Sequence, residues 1–187
     1  IAGIWDLNNA TPRNLLEKEV SSMTDCLKSR GPDSSGFWVD QEIGIALAHR
    51  RLAIQDLSKN GNQPFFSKSG RYVIVFNGEI YNHKLLRKDL SKTTFDNNCW
   101  KSNSDTETLV ACIEEWGLKS ALDQFVGMFA FALWDRKKRS IYLVRDRFGE
   151  KPLYYGIKNF NNIIRKRLLF ASDLKALRAL EGYQINI

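Results

Sequence analysis

Apolar positions recur along this chain in two rhythms, one helical and one extended. Leu16, Val20, Met23 and Leu27 stand three and four residues apart, the spacing of a single buried helical stripe. Thr11-Pro12 predicts the start of that helix, with Thr11 as cap and Pro12 at the first helical position. The stretch RGPD, Arg30 to Asp33, predicts its stop, because the residue before a proline avoids helical torsions. IAGIWDL ahead of the helix reads as a buried strand, and GFWVD and IGIALAHRRLAI after it as two more. A polar loop, KNGNQPFFSKSG, then leads to a strand, RYVIVF, and a short helix, HKLLRKDL. Ser104 opens an S-x-x-E capping box with Glu107, and the helix it begins buries Leu109, Ile113 and Trp116. GMFAFALWD, SIYLVRD, KPLYYGI and RLLFAS follow as strands with short turns, and DLKALRAL closes as a helix.

The stretch VFNGEIYN, Val75 to Asn82, interrupts this order. Asn-Gly between apolar runs is a strong signal for a tight hairpin turn. The same pair also offers an amide donor and an approachable backbone N–H to chemistry. Both readings stay open at this level.

Strands in close succession favour antiparallel pairing. MFAFALW and YVIVF are apolar on both faces, so both sides of their sheet are covered. The class expected is α+β, a four-layer α/β/β/α sandwich of two mostly antiparallel sheets flanked by helices. A single sheet flanked by helices satisfies the same pattern. No repeat, low-complexity tract or linker interrupts the chain, which reads as one domain over residues 1–187.

Composition narrows the function classes. With 187 residues, 43% of them hydrophobic, the chain can bury a substantial core. No apolar run approaches the ~18 residues of a membrane-spanning helix, so no membrane partner is expected. Cys26, Cys99 and Cys112 are odd in number with no CxxC pair, which argues against a disulfide framework or zinc knuckle and points to the cytoplasm. The charge of +7, from 28 Lys and Arg against 21 Asp and Glu, raises nucleic-acid binding. The basic residues are scattered, however, without an RNP-like or helix-turn-helix pattern. A solvated surface with no nucleic-acid partner is the reading taken, and an acidic partner domain or subunit stays open.

No phosphate loop, GxGxxG, GxSxG or HExxH frame is present. His49 and His83 read as surface or packing residues, Cys26 and Cys112 as core-facing or helix-packing thiols, and no metal site is expected. Asn77-Gly78-Glu79 could supply an oxyanion cradle and a carboxylate. Arg51, Glu79 and Asp105 together offer one cation and two anions, which complement the carboxylate and ammonium of a free amino acid.

IAGIW, RGPDSSGFW, HRRLAI, GNQPF, NGEIYNH, SDTETL, GMFAFALWD, RDRFGEKPLYYG and FASDLKAL, in this order, are similar to the glutamine-hydrolysing domain of asparagine synthetase-type enzymes. These are class II glutamine amidotransferases of the N-terminal-nucleophile hydrolase group. The resemblance implies the four-layer sandwich and catalytic roles for Asn77 and Gly78 at the tetrahedral oxygen. It implies that Arg51 grips the α-carboxylate of glutamine and that Glu79 and Asp105 receive its α-ammonium. Leu52, Ile54 and Gly78 would complete the pocket, and Arg30, Asp33 and Asp146 would order loops.

The family begins Cys-Gly-Ile-Ala-Gly and uses that cysteine as nucleophile, with its own α-amine as base. This sequence begins Ile1-Ala2-Gly3, so the cysteine and glycine would stand immediately before Ile1. The competing reading is a nucleophile-less glutamine-binding or scaffolding domain. The resemblance implies no cofactor in this domain, and ATP and Mg in a C-terminal synthetase domain or partner subunit that uses the ammonia. Aspartate is the default acceptor, with cell-surface polysaccharide biosynthesis as an alternative, and a homodimer is compatible.

Overall fold

The computed structural model describes residues 1–54, 56, 58–92, 100–160 and 165–180. The chain divides into two compact units, Ile1–Leu52 with Pro152–Ile187, and Ala53–Lys151. The fold class is α+β with two antiparallel sheets, which decides against the single-sheet alternative.

In the first unit, β1 (Ala2–Asp6), β2 (Ser34–Asp40), β3 (Ile45–Arg51), β8 (Tyr154–Phe160) and β9 (Arg165–Ala171) form a sheet in the order β2-β3-β1-β9-β8. The N-terminal strand is thus central, hydrogen-bonded to β3 on one edge and β9 on the other. Alternate residues Ala2, Ile4, Ala46, Ala48, Leu169 and Ala171 pack with Leu16, Val20, Met23 and Leu27 and with the helix near the C-terminus. The predicted apolar stripe is therefore buried throughout.

Helix α1 (Arg13–Asp25) starts later and stops earlier than the sequence signals suggest. Thr11 does not cap it: its hydroxyl donates to Asp6 Oδ2 and accepts from Arg167. Asp6 also takes the N–H groups of Asn8 and Ala10, so the turn before the helix is built on that carboxylate. At the other end, Cys26 caps the helix and a 3₁₀ turn, Lys28–Arg30, follows before Gly31-Pro32 is reached.

The second unit holds β4 (Phe65–Phe66), β5 (Tyr72–Ile80), β6 (Gly127–Asp135) and β7 (Ser140–Arg145) in sequential order. β4 lies inside the stretch expected to be only a polar loop. Helices α2 (His83–Leu90), α3 (Asp105–Trp116) and α4 (Leu118–Gln124) belong to this unit, and α5 (Leu174–Arg178) closes the first. Ile74, Phe76, Phe129, Phe131 and Leu133 pack with Leu109, Val110, Cys112 and Ile113. Val73, Val75, Ala130, Ala132 and Trp134, on the other face, are buried as well, so both faces of this sheet are covered.

The capping box at α3 is half formed. Ser104 Oγ accepts the Thr106 N–H, but Glu107 turns away and accepts from the Lys101 N–H and the Ser102 N–H and hydroxyl. Of the cysteines, Cys112 is buried and its thiol is pushed up to about 12 by that burial. Cys26 is exposed, contrary to expectation, because it follows the last turn of α1. Cys99 lies outside the described residues.

Candidate active site

Asn77-Gly78 is not a turn. β5 runs straight through it, with Phe76 opposite Phe131, Asn77 opposite Ala130, Gly78 opposite Phe129 and Glu79 opposite Met128. The glycine serves close approach: a Cβ at Gly78, whose φ is +155°, would lie 2.2 Å from the Met128 carbonyl oxygen and 2.6 Å from Phe129 Cα. The nine-residue ladder with apolar β6 overrides the local preference for a turn.

Two hydrogen bonds show which way this strand's N–H groups point. The Phe76 N–H donates to Gln63 Oε1 at 2.6 Å and the Ile80 N–H to Asp105 Oδ2 at 2.8 Å, both on the edge away from β6. Alternation puts the Gly78 N–H on that same edge, between them. Asn77 and Glu79 share the face opposite to the helix-packed residues, by the same alternation. The Asn77 Nδ2 is buried and has no hydrogen-bond partner among the described residues. A buried amide donor left unmatched costs about 1–3 kcal/mol, which makes the Asn77 Nδ2 a candidate donor to a bound oxygen.

Asp105 is the first residue of α3 and is itself buried. Burial pushes its carboxyl up to about 6; the nearby Glu79 carboxylate adds to this, while the N–H groups of Ile80 and Thr106 oppose it. The second unit therefore brings Asn77, Gly78, Glu79 and Asp105 together. The lead into Asp105 is fixed by Arg87, which the sequence reading passed over. Its guanidinium donates to Ser102 O, Ser104 O and Thr108 Oγ1 and lies 4.0 Å from the Trp100 ring centroid.

Asp146 orders its loop as expected. It accepts the N–H groups of Phe129, Phe148, Glu150 and Lys151, which anchors the loop to the β6 residue facing Gly78. His83 opens α2 half-buried and His49 is buried in β3. A cavity of about 640 Å³ lies against Glu107, Val110, Ala111 and Glu114 of α3, and none of the sequence-predicted site residues lines it.

In the first unit, Arg51 ends β3 opposite Ser34, and its carbonyl accepts the Asp33 N–H at 3.0 Å. A Cβ on Gly31 would stand 2.4 Å from Arg50 C and 2.7 Å from Arg51 N. The RGPD turn thus presses on the backbone that carries Arg51. Leu52, in this unit, and Ile54, in the second, are 55% and 73% exposed. Ser172 fixes the start of β1 in both directions, accepting from Ile1 N through Oγ and donating its N–H to Ile1 O. Arg30 donates to Ser172 O at 2.7 Å. Among the described residues, no group of three or more His, Cys, Asp or Glu could hold a metal ion, and no helix is long and apolar enough to cross a membrane.

A family model described as a glutamine amidotransferase domain matches residues 1–187. The chain is 40% identical over 177 residues to asparagine synthetase [glutamine-hydrolyzing] 2 of Bacillus subtilis (strain 168), covering 95% of this chain and 22% of that protein. Asparagine synthetase B [glutamine-hydrolyzing] of Escherichia coli (strain K12) is 36% identical over 177 residues, covering 95% and 29%. Amidase chry2 of Gibberella zeae is 34% identical over 171 residues, covering 91% and 24%. The chain thus spans less than a third of the length of these relatives. Among solved structures, the glutamine phosphoribosylpyrophosphate amidotransferase of B. subtilis, complexed with ADP and GMP, shares the fold at a TM-score of 0.67 and 18% identity. That match covers 95% of this chain and 42% of the other.

Proposed function

The chain belongs to the glutamine amidotransferase domain family, and on that premise we propose that it hydrolyses the side-chain amide of free glutamine. The observation that carries this reading is the unmatched Asn77 Nδ2 beside the Gly78 edge, with the Glu79 and Asp105 carboxylates close by. In the proposed reaction, a cysteine two residues before Ile1 supplies the thiolate, and its own α-amine takes the thiol proton. The sulfur bonds to the amide carbon, and the charge on oxygen is met by Asn77 Nδ2 and the Gly78 N–H. The carbon–nitrogen bond then breaks as the nitrogen takes up the proton and leaves as ammonia. Water attacks the thioester, releasing glutamate and restoring the thiol.

Glu79 and Asp105 receive the α-ammonium of glutamine, and Arg51 pairs with its α-carboxylate. Leu52, Ile54 and Gly78 supply pocket backbone. Matching both charged ends selects the free amino acid over glutaminyl side chains in proteins.

In the whole protein the ammonia serves an ATP- and magnesium-dependent amidation in a further domain or subunit, with aspartate as acceptor. The support for this is likeness to asparagine synthetases, which extend well beyond the matched region. The free thiols of Cys26 and Cys112 fit a reducing cytoplasm. The test uses the full-length protein with its natural N-terminus. The expected result is equimolar glutamate and ammonia from glutamine, lost when the N-terminal cysteine is changed to alanine. A residue other than cysteine at that N-terminus, seen by mass spectrometry, would leave a glutamine-binding or scaffolding domain instead.

A further inference from the structure

We propose that Gln63 is a positioning residue that holds the Asn77-Gly78 cradle in register with Asp105. This rests on the assignment of glutamine hydrolysis to that site. β4 pairs with β5 only at Phe65–Ile74 and Phe66–Val73. Continuing that register by two residues brings Gln63 opposite Phe76, where the backbone pairing has ended. The Gln63 side chain takes over: its Oε1 accepts the Phe76 N–H at 2.6 Å and its Nε2 donates to Thr106 Oγ1 at 3.3 Å. Both Gln63 and Thr106 are buried.

Thr106 follows Asp105 in the first turn of α3, and Asp105 holds the Ile80 N–H. The five residues from Phe76 to Ile80 are therefore tied to one helix terminus at both ends. Ile80 is held directly by Asp105, and Phe76 through the Gln63 amide. Between the ties lie Asn77, Gly78 and Glu79. The Gly78 N–H is the donor on that edge left between them. A carboxamide suits the task because it accepts on one atom and donates on the other. Loss of either bond would let the oxyanion donors drift relative to the ammonium site. A displacement of about 1 Å there can cost on the order of 10²-fold in rate.

The experiment pairs glutamine kinetics of the full-length protein with amide hydrogen exchange at Phe76, Gly78 and Ile80. Gln63→Met keeps side-chain length and removes both bonds. Thr106→Val keeps the Phe76 bond and cuts the link to α3. In Gln63→Met, kcat should fall about tenfold or more, KM should rise, and exchange at Phe76 should quicken. Asn77→Ala should cost less in that background than in the parent, a coupling that a role in stability alone would not produce. Thr106→Val should show the same changes at smaller size, and it decides the question if Gln63→Met does not fold. Parent-like kinetics, additive effects with Asn77→Ala and unchanged exchange would overturn the proposal. A parent protein inert toward glutamine would defeat the functional reading instead, and exchange alone would then judge the clamp.

Discussion

The Ile80 N–H donates to Asp105 Oδ2 across 2.8 Å, joining the last residue of β5 to the first residue of α3. The bond aims a buried carboxylate at the strand segment that carries Asn77 and Glu79. Burial, with help from Glu79, raises that carboxyl to about 6. The folded domain therefore takes up a proton between about pH 4 and 6 that the unfolded chain does not, so its stability declines as pH rises through that window.

The proposed role in binding glutamine needs the opposite state, because only the carboxylate attracts an ammonium. We expect kcat/KM for glutamine to fall about tenfold per pH unit below pH 6. Asp105→Asn should remove that limb and raise KM at neutral pH, while making the domain more stable above pH 6. A pH-rate profile and urea unfolding of both proteins check this; an inflection that survives in Asp105→Asn would assign it to another group.

Asn77 and Arg51 should separate in kinetics. If Asn77 meets the charged oxygen as proposed, Asn77→Ala should lower kcat on the order of 10²–10³-fold with KM little changed. On the proposed assignment, Arg51→Ala removes a grip on a portion of glutamine that does not react, so KM should rise with kcat largely kept. Arg51→Lys should recover only some of the loss, since an ammonium lacks the two-pronged fit to a carboxylate. Steady-state glutaminase kinetics decide both, and a pure KM effect at Asn77 would remove it from the oxyanion role.

Gly78 and Gly117 make a matched test of why a glycine is present. A Cβ at Gly78 would strike the Met128 carbonyl and the Phe129 backbone, whereas one at Gly117, with φ +81°, meets nothing within 4 Å. Gly117→Ala should therefore cost only backbone strain, about 1–3 kcal/mol. Gly78→Ala adds to such strain the need to force β5 and β6 apart, so it should cost clearly more than Gly117→Ala. Thermal unfolding of the two variants gives the ratio.

The elements were largely legible because their hydrophobic period is local and strong, as in the Leu16–Leu27 stripe and the apolar run of β6. The errors share a cause. Asn77-Gly78 carries a turn signal in its own few residues, but its partners Ala130 and Phe129 lie some fifty positions away. Thr11 has the chemistry of a cap, yet a buried aspartate and Arg167 claim its hydroxyl. Of the candidate site, the charged and amide residues of NGE and SDTE stand out in the sequence because their chemistry is distinctive, and the structure brings Asn77, Gly78, Glu79 and Asp105 close in space. Gln63 does not stand out, since one polar residue in a polar loop acquires meaning only through the β4–β5 register. Arg87 looked like one cation among many until its guanidinium was seen to hold the loop before Asp105.

Asp146 supplies the last test, and its sign is opposite to that of Asp105. Burial alone would raise its carboxyl, but the N–H groups of Lys151, Glu150, Phe129 and Phe148 outweigh it and hold the carboxyl below the usual carboxylate range. The ionised form is thus favoured by folding. Its contribution is present above about pH 4 and is lost as pH falls through the depressed value. Each carboxylate oxygen accepts two of these N–H groups. Asp146→Asn leaves one oxygen as acceptor and turns the other into an amide nitrogen facing donors. We expect a loss of about 2–4 kcal/mol at pH 7 and a shallower decline in stability as the pH falls below about 4. Because Phe129 faces Gly78 across the β5–β6 ladder, kcat should fall as well. Urea unfolding at several pH values reads the first two effects; a variant as stable as the parent at pH 7 would show that the four N–H groups find other acceptors.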